Sequence, residues 1–229
     1  MDEKVFAFWE GDMPGYIKLC MDTWKVPYTL LNYDNLDQYT DLPIEKLKRY
    51  PLSQISDCVR VHVLRDNGGY WIDADTIMIS DRLPEETILG YPDSRINTCG
   101  FLHTEPQTQM FKDWAEYQDK VIDDAPISYY WGTFANAFTD PYLLDHKEVD
   151  MGLIENRWPE TYMVGNLTTR YSKYQILYFE ADLQLSDLRK TDLLMLHNSW
   201  TPGWYKLLTE EEVLKTSCTL SNILKGLTV

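Results

Sequence analysis

Gly68-Gly69-Tyr70-Trp71-Ile72-Asp73-Ala74-Asp75-Thr76 is the stretch from which the rest of the chain is read. Two glycines stop whatever precedes them, because glycine takes backbone conformations closed to other residues. The apolar run that follows reads as a strand, predicted over residues 70–79. Side chains alternate along a strand, so Asp73 and Asp75 are expected on one side and Ile72 and Ala74 on the other. Two neighbouring carboxylates repel unless a positive charge stands between them. A divalent cation, which prefers oxygen ligands, meets that need. Taken alone, two aspartates at this spacing also fit a solvated turn.

Upstream, residues 53–67 form the clearest helix of the chain. Ile55, Val59, His62 and Val63 share one side, Ser53 suits the N-cap, and Asn67 with Gly68 supplies the stop. His62 on that apolar side reads as a packed core histidine. Asp57 and Arg60, three apart, are neighbours on the helix. On an exposed face such a pair would be worth well under ~1 kcal/mol. Residues 5–9 are an apolar, β-rich run ended by the turn Glu10-Gly11-Asp12. Pro14 opens a helix of about three turns carrying Ile17, Leu19, Cys20, Met21 and Trp24, and residues 27–33 read as a second strand. Strand, helix and strand in so short a span predict a βαβ beginning and hence a parallel sheet. Residues 34–41 are a polar connection, and 43–50 a short helix halted by Pro51.

Downstream, short strands are predicted at 87–90 and 95–103. A helix at 106–121 has Met110, Phe111, Trp114 and Tyr117 on one side, and an aromatic helix follows at 128–138. Residues 140–165 carry no clear pattern. Late strands are predicted at 174–179 and 193–196. Thr209 is the expected cap of a last helix with Glu210, Glu211 and Glu212 in its first turn.

The 229 residues suffice for one large domain or two small ones, and no linker or repeat divides them. Formal charge is 21 − 36 = −15, which argues against nucleic acid and against simple electrostatic docking on an anionic membrane. Eight Trp and sixteen Tyr suit stacking on sugars or bases, and equally a packed core. Cys20, Cys58, Cys99 and Cys218 show no CxxC spacing and read as reduced thiols. No segment resembles a signal peptide or reaches the ~20 apolar residues of a membrane span, so a cytoplasmic protein is expected. Asn166-Leu167-Thr168 fits a glycosylation sequon, read here as incidental.

Taken together, Ser56-Asp57-x-x-Arg60 followed by Gly68-Gly69-Tyr70-Trp71-Ile72-Asp73-Ala74-Asp75 resembles the DXD sugar-transferase superfamily of GT-A fold. Bacterial capsular polysaccharide synthesis transferases, fungal Golgi mannosyltransferases and the glucosyltransferase domains of large toxins belong to that superfamily. The resemblance covers residues 5–11, 53–76 and 194–200. It implies a metal-dependent transfer of a hexose from a nucleotide sugar, with Mn²⁺ or Mg²⁺ as cofactor. By motif position Asp73 lies near the ribose and the metal, Asp75 ligates the metal, and Asp57 with Arg60 binds sugar hydroxyls. Phe8 and Trp9, in a segment similar to the family's opening strand, are implied for stacking on the base. In Leu196-His197-Asn198-Ser199-Trp200, His197 is implied as a further metal ligand and Ser199 and Trp200 as groups closing over the diphosphate. Tyr70 and Asn97 complete the donor-facing set.

The expected architecture is therefore a single α/β, GT-A-like domain with a mostly parallel central sheet flanked by helices. Its donor site occupies about residues 1–104, and its acceptor side and C-terminal lid about residues 105–229. The expected reaction is retaining transfer, UDP-sugars favoured, to a saccharide or lipid-linked saccharide acceptor in surface polysaccharide synthesis. Weak peripheral association with the inner face of the membrane fits that setting. Two rival readings use the same residues: a binding protein for nucleotide sugars or glycans without turnover, and a metal-dependent phosphohydrolase or nucleotidyltransferase. The second would need more acidic ligands or a phosphate-binding glycine loop, and neither is visible.

Overall fold

A computed structural model describes residues 4–85, 88–90, 97–124, 132–135, 137–139, 171–172, 174–187 and 192–228. The chain divides into two compact units. One comprises Met1–Gly11, Pro27–Asp73 and Glu85–Val149, and the other Asp12–Val26, Ala74–Pro84 and Asp150–Val229.

The first unit is built on a five-stranded sheet of β1 (Val5–Phe8), β2 (Thr29–Leu31), β3 (Gly69–Ile72), β5 (Ile88–Gly90) and β6 (Asn97–Thr104), in the order β2-β1-β3-β6-β5. β1 is parallel to β2 and to β3, β6 is antiparallel to β3, and β5 is antiparallel to β6. Four of the five strands thus run one way and β6 alone opposes them, the mixed α/β class expected from the sequence. Val5, Phe6, Ala7 and Phe8 are all buried, as are Tyr70, Trp71 and Ile72. Continuous burial is what strands covered on both faces require. After the short α2 (Ile44–Leu47), two long helices, α3 (Leu52–Asn67) and α4 (Gln109–Asp124), pack on each other, and α3 also packs on β1, β3 and β6. Val59, Val63, Trp71, Leu102, Phe111 and Trp114 belong to one buried cluster. His62 is 1% exposed, the core histidine expected.

The start of α3 corrects one expectation. Pro51, not Ser53, occupies the cap position, with φ −57° and ψ 147°. Its carbonyl accepts from the N–H groups of Gln54 and Ile55. Proline's preset φ suits this entry. The helix stops at Gly68, whose φ is +64°, and Gly69 follows at φ +89°. A Cβ on Gly69 would stand 2.3 Å from the Lys4 carbonyl oxygen, the same oxygen that accepts from the Tyr70 N–H at 2.8 Å. Gly69→Ala is therefore expected to cost roughly 2–4 kcal/mol, through both backbone strain and the displaced β1–β3 pairing. Denaturant unfolding measures it, and a loss below ~1 kcal/mol would contradict the steric argument.

The second unit holds α1 (Gly15–Asp22), a two-stranded antiparallel sheet of β4 (Thr76–Met78) and β7 (Leu193–Met195), and three late helices. These are α5 (Gly203–Lys206), α6 (Glu210–Lys215) and α7 (Thr219–Thr228). The strand predicted over residues 70–79 is accordingly two strands. β3 bonds to β1 and β6, whereas β4 bonds to β7, so the chain changes partners. Ala74 and Asp75 form a turn, and Asp73 and Asp75 are not alternate residues of one strand. α1 has eight residues, about two turns, and packs on β4; the Trp24 indole N–H donates to the Thr76 carbonyl at 2.7 Å.

Thr209 caps α6 as expected: its hydroxyl accepts from the Glu212 N–H, and the Glu212 carboxylate accepts from the Thr209 N–H at 2.9 Å. α7 follows it, so α6 is not the last helix. The strand predicted at 174–179 is also corrected, since Ile176–Glu180 is a π-helical turn closed by Ala181 N–H donating to the Ile176 carbonyl at 2.8 Å. Tyr178 is buried while Ile176 is 51% exposed, so the apparent alternation does not describe one buried face. In the predicted helix at 128–138, residues 132–135 form a turn, with Gly132 at φ +86°. The rest of that stretch up to residue 131, residues 140–165 and the sequon at Asn166 lie outside the described residues. All four cysteines are buried and unbridged. Among the described residues no helix is long and apolar enough to cross a membrane.

Candidate functional site

In the first unit, α3 and the end of β3 bring three of the singled-out residues together. Arg60 is 5% exposed. Its Nη2 lies 3.1 Å from Asp57 Oδ1 and 3.3 Å from Asp73 Oδ1. Nη1 donates to the Cys99 carbonyl, Nε donates to the Ser56 carbonyl, and the plane stands 5.5 Å over the Trp71 ring. This is no surface ion pair: one cation is shared by two carboxylates, inside the protein, with its fork of donors in use. Asp57 is fixed through its own carbonyl, which accepts from the Gln118 side chain of α4 at 2.9 Å.

Asp73 is positioned from three directions. Its N–H donates to the Gly100 carbonyl at 2.8 Å, and its Oδ1 accepts from the Trp71 indole N–H at 2.8 Å as well as from Arg60. Trp71 and Asp73 are two apart, so the pleat puts them on one side of the chain. Among the described residues, the hydrogen bonds and ion pairs of this carboxylate are made by Oδ1, and the side chain is 30% exposed.

Burial pushes the Asp57 carboxyl up to about 6, with the Asp73 charge adding to the rise and Arg60 opposing it. A carboxyl whose folded value exceeds its unfolded value gives stability that is present below the unfolded value, about 4, and lost as pH rises through about 6. The stability difference between wild type and Asp57→Asn is thus expected to favour wild type less as pH rises from about 4 to about 7. Urea unfolding of the two proteins across that range measures it, and a flat difference would contradict the burial argument.

Phe8 is a core residue with its ring 5.8 Å from Tyr33. Trp9, partly exposed just beyond β1, is the one of the two placed outside that core; its N–H donates to the Leu31 carbonyl at 3.0 Å. Tyr70 is buried and stacked on His103, its cross-strand partner, at 4.0 Å. Asn97 opens β6 opposite Gly90.

In the second unit the β4–β7 ladder sets the geometry. Leu196 N–H donates to the Asp75 carbonyl at 3.2 Å, one step beyond the last paired residues. That step delivers the segment 197–200 to Asp75, whose Oδ2 accepts from the Asn198 N–H at 2.8 Å. Asn198–Trp200 is a single 3₁₀ turn. His197 is partly exposed, its N–H donates to the Tyr174 hydroxyl at 3.1 Å, and its ring lies 4.3 Å from that of Trp200. Ser199 is exposed. Trp200 packs edge-on against Tyr174 at 5.7 Å and Tyr171 at 6.3 Å. Burial, with the Asp75 charge behind it, pushes the Tyr16 phenol far above its ordinary range and so keeps it a neutral donor. Burial lowers Lys206, and Asp75 works against that shift.

Among the described residues, no three His, Cys, Asp or Glu side chains converge as a complete metal cage. Asp73 by itself suits a hard divalent ion: among the described residues its contacts are made through Oδ1, and ions such as Mg²⁺ take their remaining ligands from water and phosphate. Sequence reasoning missed Asn198, Tyr174 and Tyr16. It also missed the indole bond from Trp71, although the i, i+2 spacing to Asp73 carried that signal.

The frame and its two clusters define an α/β protein that presents carboxylates at the end of a central strand, with an arginine held among them. Residues 1–180 match the family described as capsular polysaccharide synthesis protein, and the chain belongs to that family. None of the curated proteins matches. Among solved structures, a PaToxG glycosyltransferase is similar with a TM-score of 0.43 at 14% identity, over 62% of this chain and 69% of that one.

Proposed function

We propose that this chain is the sugar transferase of a capsule-building reaction: it moves a hexose from a nucleotide sugar, a UDP-sugar by preference, to a saccharide or lipid-linked saccharide acceptor. The observation that carries the reading is the buried Asp57–Arg60–Asp73 cluster, in a member of a capsule-synthesis family. A simple ion pair joins one carboxylate to one arginine. Here two are gathered on one guanidinium, and one oxygen of Asp73 is turned to no protein group among the described residues.

In this reading Asp57 and Arg60 accept from and donate to hydroxyls of the transferred sugar. Arg60 keeps Asp57 ionised against its burial and aims Asp73. Asp73 and Asp75 supply carboxylate oxygens to Mn²⁺ or Mg²⁺, with His197 as a further ligand. Such an ion would offset the charge that builds on the diphosphate as the anomeric C–O bond breaks. Trp9 stacks on the base, and Ser199 and Trp200 cover the diphosphate and limit hydrolysis by excluding water. No carboxylate is assigned as a nucleophile, so a retaining outcome would proceed by departure and attack on one face of the sugar. The setting is the cytoplasmic side of the membrane.

The test is to incubate the protein with Mn²⁺ and a panel of UDP- and GDP-sugars, with and without saccharide acceptors, and to follow nucleotide release. Release with one donor class is expected. No release with any donor, together with no Mn²⁺-dependent binding of UDP or GDP, would overturn the proposal.

A further inference from the structure

The hydrogen bond to Asp75 does not stand by itself. The Asn198 N–H that donates to Asp75 Oδ2 belongs to a residue whose side chain is also held: the Tyr16 hydroxyl donates to Asn198 Oδ1 at 2.5 Å. Tyr16 is fully buried in α1, its ring packed 5.6 Å from that of Tyr205. Tyr205 is in turn fixed by a 2.9 Å hydrogen bond with Ser221. A rigid phenol therefore grips the first residue of the 3₁₀ turn, and that residue's backbone N–H grips the second aspartate of the motif. Tyr16 and Asn198 are 182 positions apart, and Asn198 and Asp75 are 123 apart, so no local preference produces this arrangement.

We infer that Tyr16 is a positioning residue for the cation site, acting through Asn198 to set the orientation of the Asp75 carboxylate; this rests on the transferase reading above. The physical reason is rotational. The 3₁₀ turn is closed at its far end, where the Trp200 and Thr201 N–H groups donate to the His197 carbonyl at 2.8 and 3.1 Å, whereas the Asn198 N–H points out of the turn to Asp75 and His197 supplies no side-chain cap. With Oδ1 of Asn198 bound, the direction of its N–H is set by α1. Without that bond Asn198 loses its side-chain tether, and the N–H that orients one oxygen of Asp75 is held less firmly. Partners that orient a metal ligand typically change affinity by roughly 10–100-fold when removed.

The test uses the full chain without donor and reads Mn²⁺ affinity by the electron paramagnetic resonance signal of the free ion. Tyr16→Phe keeps the ring and removes one hydroxyl. It is expected to weaken Mn²⁺ binding about tenfold. Asn198→Ala breaks the same bond from the other end at a half-buried position, and it carries the test should Tyr16→Phe fail to fold. The double variant is expected to be no weaker than the worse single one, since both cut one relay. Wild-type Mn²⁺ affinity in a folded Tyr16→Phe or Asn198→Ala protein overturns this inference and leaves the transferase reading standing. Losses that add in the double variant overturn the route through Asn198. Absence of Mn²⁺ binding in the wild type, or undiminished binding in Asp75→Asn, overturns this inference and the place of Asp75 in the cation site, while the transferase reading is decided by nucleotide release.

Discussion

Asp75→Asn is expected to lower Mn²⁺-dependent nucleotide release by roughly 10²–10³-fold, the scale set by removing one preorganised electrostatic group from a reacting centre. The substitution is nearly isosteric. The amide keeps an acceptor oxygen, so the 2.8 Å bond from the Asn198 N–H can persist and the β4–β7 ladder that places it need not move. What disappears is one negative charge and with it the strong preference for a hard cation. Unfolding midpoints within ~1 kcal/mol of wild type are expected beside the kinetic loss. Turnover within threefold of wild type at saturating Mn²⁺ would remove Asp75 from the ion's ligands.

The second large effect is on Arg60, and it reaches stability as well as activity. Truncation in Arg60→Ala leaves two carboxylates facing one another in a largely buried position, Asp57 with 17% and Asp73 with 30% of its side chain exposed. Breaking a buried pair from one side typically costs about 3–5 kcal/mol, and a value in that range is expected here. A pH signature separates this from simple loss of packing. With the opposing charge gone, the Asp57 carboxyl rises beyond the value of about 6 it has beside Arg60. Its folded value then exceeds its unfolded value by more, so the variant should regain stability as pH falls toward 4 and lose it as pH rises through and beyond 6. Donor binding should fall with it. Urea unfolding at pH 5 and pH 8 decides the matter: equal deficits at the two values would mean that charge is not what Arg60 supplies. Arg60→Lys should rescue only part, because an ammonium cannot reach Ser56, Cys99, Asp57 and Asp73 as the planar fork does.

The two aspartates teach different lessons about legibility. Asp73 was readable from its neighbourhood. It follows an apolar run and a helix with Asp57 and Arg60, and the motif resemblance grouped the three, while the bond from Trp71 at one pleat repeat went unread. Asp75 was named by the same motif but placed on the wrong element. Nothing local announces that residue 76 leaves the partners of β3 and pairs with residue 195. Residues 174–179 failed for a related reason: an alternating aromatic and aliphatic pattern is compatible with a strand or a tight helix, and burial by distant residues chose the helix.

The sequence by itself determined the α/β class, the parallel start of the sheet, the glycine release into β3 and the family, because each rests on short-range pattern and on backbone chemistry that acts within a few residues. Only the tertiary structure decided that Arg60 serves two carboxylates at once, that Phe8 belongs to the core while Trp9 remains partly exposed, and that Asp75 is held through Asn198 by Tyr16. Apart from the local Asp57–Arg60 pair, those relations are hydrogen bonds, ion pairs and burials between residues from 13 to 182 positions apart, and such contacts exist only once the chain has closed its loops.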